Sequence, residues 1–198
     1  MEKKEYSIDI GGRTLKATFS NLAEQANGSV VVQYGETIVL ATAVMGKHKR
    51  EGLNFFPLTV DYEEKFYAAG AILGGQFIRR EGRPSEEAIL TSRFIDRTIR
   101  PLFNQKMRND VHVVVTTLSL DEENEPGIMG IIATSLALAT SNIPWNGPVT
   151  AVRIGHENGA FQINPNYKTK ENLELDLMVS GKDGEVNMIE SEAKEVSE

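Results

Sequence analysis

Six of the ten arginines in this 198-residue chain lie close together: Arg79, Arg80, Arg83, Arg93, Arg97 and Arg100. No lysine stands between Lys65 and Lys106. A guanidinium is planar, always charged and able to fork onto a phosphate, whereas an ammonium is a point charge. Set against Glu81, Glu86, Glu87 and Asp96, the six arginines give residues 70–103 a charge of +2. The whole chain carries −7, which leaves −9 for the remainder. A basic island in an acidic chain marks a site for a phosphate-bearing partner or a salt-bridged helix face, and charge alone leaves both open. Phe77 and Ile78 stand directly before Arg79 and Arg80. That pattern suits single-stranded RNA, because a base can stack on the ring while the backbone meets the arginines.

Two elements must position these residues. Gly70, Gly74, Gly75 and Gly82 read as a flexible or sharply turned loop with residues 76–80 at its tip. Pro84 and Ser85 then signal a helix over residues 85–103, with Ser85 as N-cap and Glu86 and Glu87 in the first turn. Ala88, Ile95, Ile99 and Leu102 form its core stripe, with Leu90 and Phe94 beside it. Arg93, Arg97 and Arg100 are spaced i, i+4, i+7 and share another face, where Asp96 can reach Arg93 or Arg100.

The rest of the chain predicts mainly strands. Residues 6–10 and 14–19 alternate around Gly11 and Gly12, a hairpin signal. Residues 29–34 and 37–44 form a second pair, the latter apolar enough to be central. Residues 53–62 are a strand candidate that Pro57 makes partly an edge or bulge. Residues 111–120 read as a buried strand and residues 127–141 as a buried helix. A turn-rich joint at residues 142–148 precedes strands at 149–154, 160–163, 173–180 and 186–190. The acidic end closes nothing, which predicts a lobe cut short. The fold class is α+β, with mixed β-sheets and a few packed helices.

Catalytic constellations are thin. His48, His112 and His156 lie far apart with no metal-type spacing, and His112 reads as core or edge packing in its strand. The glycines at 70–75 form neither a Walker loop nor a dinucleotide fingerprint, and no nucleophile elbow is present. Asp121, Glu122, Glu123 and Glu125 lack the calcium-loop pattern and read as a solvated turn, and Asp61, Glu63 and Glu64 as surface carboxylates. What remains is an arginine-and-aromatic site. Phosphoryl chemistry needs little covalent help when charge and positioning are supplied.

The chain has no cysteine, which excludes disulfides and thiolate metal sites and is compatible with a reducing cytoplasm. No apolar run reaches signal-peptide or membrane-span length. These features predict a soluble intracellular protein.

Residues 74–85, followed by 90–93, 95–97 and 100–103, resemble the first ribonuclease PH-like repeat of the bacterial polynucleotide phosphorylases. Supporting similarity lies at residues 28–30, 34–37, 142–148 and 191–195. The resemblance implies a ribonuclease PH-like fold of β-α lobes, repeated twice in the full enzyme, with residues 1–143 as the first lobe and 144–198 beginning the second. It implies a homotrimeric ring with a central channel. Inorganic phosphate would attack the 3′ end of single-stranded RNA reversibly, with a divalent cation such as magnesium, and release nucleoside diphosphates. In that family the phosphate site and metal carboxylates belong to the second repeat, so no catalytic or metal-binding residue is assigned in this chain.

The first repeat contributes a channel loop with a Phe-Phe-Arg-Arg motif. Phe77, Arg79 and Arg80 match it, and Ile78 replaces the second phenylalanine. Arg83 matches an arginine that ribonuclease PH relatives use for phosphate. Arg93, Arg97 and Arg100 are expected to serve as structural ion-pairing arginines or as anion ligands. Other RNA-decay proteins are possible further partners. Three readings follow: the RNA-gripping half of a phosphorolytic exoribonuclease, a self-sufficient ribonuclease PH-type enzyme using Arg83, and a ring-assembly scaffold.

Overall fold

A computed structural model describes residues 3–72 and 82–194 of the chain. The expectations placed on Gly74, Gly75, Gln76, Phe77, Ile78, Arg79, Arg80 and Glu81 lie outside the described residues. Two sheets sandwich two helices. The first sheet contains β1 (Lys4–Ile10), β2 (Arg13–Phe19), β3 (Gly28–Tyr34), β4 (Thr37–Lys49), β5 (Leu58–Glu63) and β6 (Asn109–Ser119). Its order is β1-β2-β3-β4-β6-β5, antiparallel throughout except that β5 runs parallel to β6. The second sheet contains β7 (Thr150–Glu157), β8 (Ala160–Ile163), β9 (Leu175–Lys182) and β10 (Glu185–Ala193), ordered β10-β9-β7-β8 and antiparallel.

The middle layer is α1 (Glu86–Ile99) and α2 (Pro126–Ala139). α2 packs on β3, β4 and β7, while α1 packs on β5 and reaches β10. Strand periodicity explains the layering. In β6, Val111, Val113 and Val115 face the helices and are buried, and β4 supplies Val39, Ala41 and Ala43 in the same phase. α2 buries Ile128, Met129, Ile131, Ala133, Ala137 and Leu138, as a helix apolar all round must. One hydrophobic core runs through both sheets, from Val30 and Val32 to Val149, Ala151 and Met188.

Two glycines are required by the packing. A Cβ on Gly28 would stand 2.0 Å from the Ala137 carbonyl oxygen, so β3 and α2 approach as closely as they do only without one. Gly35 has φ +62, and a Cβ there would lie 2.5 Å from Asn124 Nδ2. These two positions fall within the motifs at residues 28–30 and 34–37.

The structure departs from the expected elements in five places. The strand expected over residues 53–62 spans only Leu58–Glu63, the residues up to Pro57 being irregular. Leu90 is 64% exposed, because it lies off the α1 stripe that Ala88, Phe94, Ile95, Thr98 and Ile99 bury. α1 ends at Ile99 and continues only as a 3-10 turn over Arg100–Leu102, since Pro101 has no N–H with which to extend the ladder. His112 is exposed rather than packed in the core, being out of phase with the buried valines of β6. Finally, Phe66–Ala69 and Tyr167–Asn172 form 3-10 turns that no periodicity announced.

Candidate functional site

The site begins where α1 begins. Ser85 caps the helix as expected: its Oγ accepts from Ala88 N at 3.0 Å and donates to Glu64 Oε2 at 2.7 Å. Arg83, two residues before the cap, is exposed. Along α1 the arginine triad separates. Arg100 is committed to the fold: Nε and Nη2 fork onto Asp96 at 2.8 and 2.6 Å. Its Nη1 and Nη2 also donate to the carbonyls of Phe56 and Leu58 at 3.3 and 3.1 Å, beside the edge strand β5. Asp96 therefore reaches Arg100 and not Arg93.

Arg93 and Arg97 are exposed and, among the described residues, have no hydrogen bond or ion pair. They open onto a groove of about 780 Å3 between α1 and the second sheet, which Lys170 and the carboxylates Glu87, Glu190 and Glu192 also line. Donors without acceptors on a groove wall can take up an anion.

Arg153, on β7, borders the same groove in a different state. It is 8% exposed, and Asp176 on β9 is 9% exposed. Arg153 Nε and Nη2 fork onto Asp176 at 2.6 and 2.7 Å, and Nη1 donates to Glu125 Oε2 at the start of α2. Its backbone N–H donates to Asn164 Oδ1 at 3.0 Å. One guanidinium thus ties β7, β9 and α2 together. Sequence reasoning missed these residues, because the apolar alternation Val152/Ile154 and Leu175/Leu177/Val179 points Arg153 and Asp176 to the outward phase, whereas the structure buries that phase.

The acidic loop after β6 is not merely a solvated turn. Asp121 accepts from Glu36 N, Thr37 N, Thr37 Oγ1, Glu123 N, Asn124 N and Asn124 Nδ2, at 2.6–3.2 Å. Partial burial opposes its charge. The hydrogen bonds, led by those from Asn124, outweigh that and hold its carboxyl well below the usual carboxylate range. Tyr167 ties the next crossing to α1, donating its hydroxyl to Glu87 Oε1 at 2.8 Å. Partial burial and that bond raise the phenol above its ordinary value. On the outer face of the first sheet, His112 Nε2 lies 2.7 Å from Asp61 Oδ2, so Asp61 is a partnered surface carboxylate. Among the described residues no group of three or more histidines, aspartates or glutamates is placed to hold a metal ion.

The matching family model is described as 3′ exoribonuclease family, domain 1, and it covers residues 11–144. The chain belongs to that family. It is also 53% identical over 196 residues, 99% of its length, to the polyribonucleotide nucleotidyltransferase of Exiguobacterium sibiricum. Over 192 residues it is 54% identical to that of Roseiflexus castenholzii. The match spans 26% of each of those proteins, so the chain corresponds to about a quarter of their length.

Among solved structures, rice (Oryza sativa) Rrp46 superposes with a TM-score of 0.70 at 16% identity, over 96% of this chain and 80% of that one. The Archaeoglobus fulgidus exosome with RNA bound to its active site gives 0.66 at 16%, over 100% and 79%. At that identity the likeness speaks for the fold, and the fold is ribonuclease PH-like. The expected α+β class and mixed sheets are thereby borne out.

Proposed function

We propose that the chain is the RNA-gripping first repeat of a phosphorolytic 3′-to-5′ exoribonuclease, a polyribonucleotide nucleotidyltransferase acting in RNA turnover. The observation that carries this reading is identity above 50% along almost the whole chain to proteins of that name, together with the family domain. In this reading Phe77 stacks on a base while Arg79 and Arg80 hold backbone phosphates, with Ile78 packing where relatives stack a second ring. Arg83 adds positive charge at the loop-to-helix junction. Inorganic phosphate is the attacking co-substrate. The full protein works as a trimer in the cytoplasm, with magnesium held by residues outside this chain. In the same reading residues 1–143 form the first lobe and residues 144–198 begin the second.

Arg93 and Arg97, unpaired among the described residues and set on the groove wall, favour an additional anion-binding role. Arg100 has a structural one, because its donors are already engaged.

Two measurements on the chain test the reading. Replacing Arg79 and Arg80 by Ala weakens binding of a short oligoribonucleotide regardless of sequence. It also lowers the slope of log K against log salt by about 0.7 for every phosphate no longer neutralised. An unchanged slope removes the assignment of these two arginines to the RNA backbone. Phosphate-dependent release of nucleoside diphosphate by the unaltered chain with magnesium, if abolished in Arg83→Ala, would show instead that this repeat has a working site of its own.

A further inference from the structure

We propose that β1 is an open docking edge that pairs with β1 of a second copy of this chain, antiparallel about a two-fold axis through Tyr6.

β1 is the outermost strand of the first sheet, and among the described residues β2 is its only strand neighbour. It has seven residues, runs without a bulge and contains no proline. Residues 3–9 are all exposed. Its connection to β2 is Gly11 and Gly12, both at positive φ, as a two-residue type I′ turn requires. In such a turn the Ile10 carbonyl accepts from Arg13 N–H, so Lys4, Tyr6, Ile8 and Ile10 direct their backbone groups at β2. The N–H and C=O groups of Glu5, Ser7 and Asp9 then point to the open edge. Of the devices that keep such an edge from pairing, β1 has a single charge on the inner face, Lys4.

The side chains add an apolar reason to pair. Tyr6 and Ile8 stand opposite Ala17 and Leu15 and share their face of the sheet. Ala17 and Leu15 are buried, whereas Tyr6 is 62% and Ile8 60% exposed. A further strand would cover both.

Charge complementarity selects a second copy as that strand. With Tyr6 opposite Tyr6, Ser7 faces Glu5, Ile8 faces Lys4 and Asp9 faces Lys3, each pair occurring twice about the axis. No like charges meet, and the stem of Lys4 lies over Ile8. A slip of one residue would put Tyr6 and Ile8 on the wrong face. A slip of two sets Glu5 opposite Glu5 in one direction and Glu5 opposite Asp9 in the other. Larger slips shorten the ladder. Lys3 bonds Glu5 at 2.6 Å in the single chain, and Lys16 holds the same carboxylate at 2.9 Å. Glu5 therefore stays compensated when Lys3 turns to Asp9 of the second copy. Asp9 is engaged through Oδ1, by Thr14 Oγ1 at 2.6 Å. One strand pair is smaller than a standard interface, so the association is weak and depends on concentration. A two-fold contact does not generate a ring of three, so the proposal stands apart from the proposed function.

Sedimentation velocity of this chain over a concentration series reads the association, and charge exchange tests its register. The parent chain forms a dimer that dissociates on dilution. Lys3→Glu sets carboxylate against carboxylate twice, and Asp9→Lys sets ammonium against ammonium twice. Each weakens the dimer roughly tenfold. The double variant Lys3→Glu/Asp9→Lys restores both opposite-charge pairs and returns the parent affinity. Ser7→Pro removes an edge N–H that β2 does not use, so dimerisation is lost while the chain stays folded. In the parent, amide exchange at Glu5, Ser7 and Asp9 slows as concentration rises. A monomer at every concentration up to about 1 mM overturns the proposal and leaves the edge to an extended segment of another protein. An oligomer that both single reversals leave intact, or that the double variant fails to restore, also overturns it, because such an oligomer is built through another surface.

Discussion

Arg153 and the pair Arg93 and Arg97 border the same groove and carry the same charge, yet they are in opposite states. Arg153 is buried, and two carboxylates engage all three of its guanidinium nitrogens. Arg93 and Arg97 are exposed, and among the described residues no acceptor meets them. Position on a groove therefore says little about what an arginine does. Whether its nitrogens already meet acceptors says more. An arginine whose three guanidinium nitrogens all meet acceptors is a strut, and one whose nitrogens meet none is available to a ligand.

The contrast is broken most directly at the strut. Removing one partner from a buried ion pair leaves the other charge uncompensated, so Arg153→Ala should cost about 3–5 kcal/mol. Urea denaturation measures it. A cost below about 1 kcal/mol would mean that the network is incidental and that Arg153 is as free as its neighbours.

The acidic loop after β6 repeats the contrast with the sign reversed and a smaller effect. Asp121 is saturated with donors, while Glu122 and Glu123 are exposed. Asp121→Ala should cost about 1–2 kcal/mol, given that water screens part of the site. Its pH dependence follows from its depressed folded pKa. The stabilisation is present above the unfolded value of about 4 and is lost as pH falls through the folded value. The unfolding free energy of the parent chain should therefore fall below about pH 4 more steeply than that of Asp121→Asn. Parallel curves would show that Asp121 is no better bound than its exposed neighbours.

Local pattern made most of the fold legible, and tertiary partners decided the rest. The alternation in residues 111–115 and the apolar composition of residues 127–141 placed β6 and α2 correctly, because burial on a sheet leaves a period in the sequence. The same alternation read more strictly would have put His112 outside. The cap at Ser85 was legible from residue type, whereas its bond to Glu64, across a 21-residue separation, was not. The split of the α1 triad could not be read from spacing either. It depends on the Phe56 carbonyl just before β5 and the Leu58 carbonyl at its start facing Arg100, a juxtaposition made by the packing of α1 on β5. The buried pair of Arg153 and Asp176 left no such signal: in both strands the large apolar residues alternate in the other phase, and only the packing of the second sheet against α2 shows that the charges point inward.

The smallest effects sharpen the comparison most, because they separate two quantities within one helix. Arg100→Ala removes a bidentate pair with Asp96 and two carbonyl hydrogen bonds at a partly exposed position, and should cost about 1 kcal/mol of stability. Arg93→Ala and Arg97→Ala break nothing among the described residues and should change stability by less than about 0.5 kcal/mol. For RNA binding the order inverts. If the free arginines meet phosphates, each of these two substitutions lowers the salt slope by about 0.7, while Arg100→Ala leaves it unchanged. Chemical denaturation and a salt titration of oligoribonucleotide affinity, run on the same three variants, read both quantities. Should Arg100→Ala reduce the slope as much as Arg93→Ala does, donor consumption in the free chain would not decide which arginines a ligand uses, and the distinction between strut and ligand would have to be drawn from the bound state.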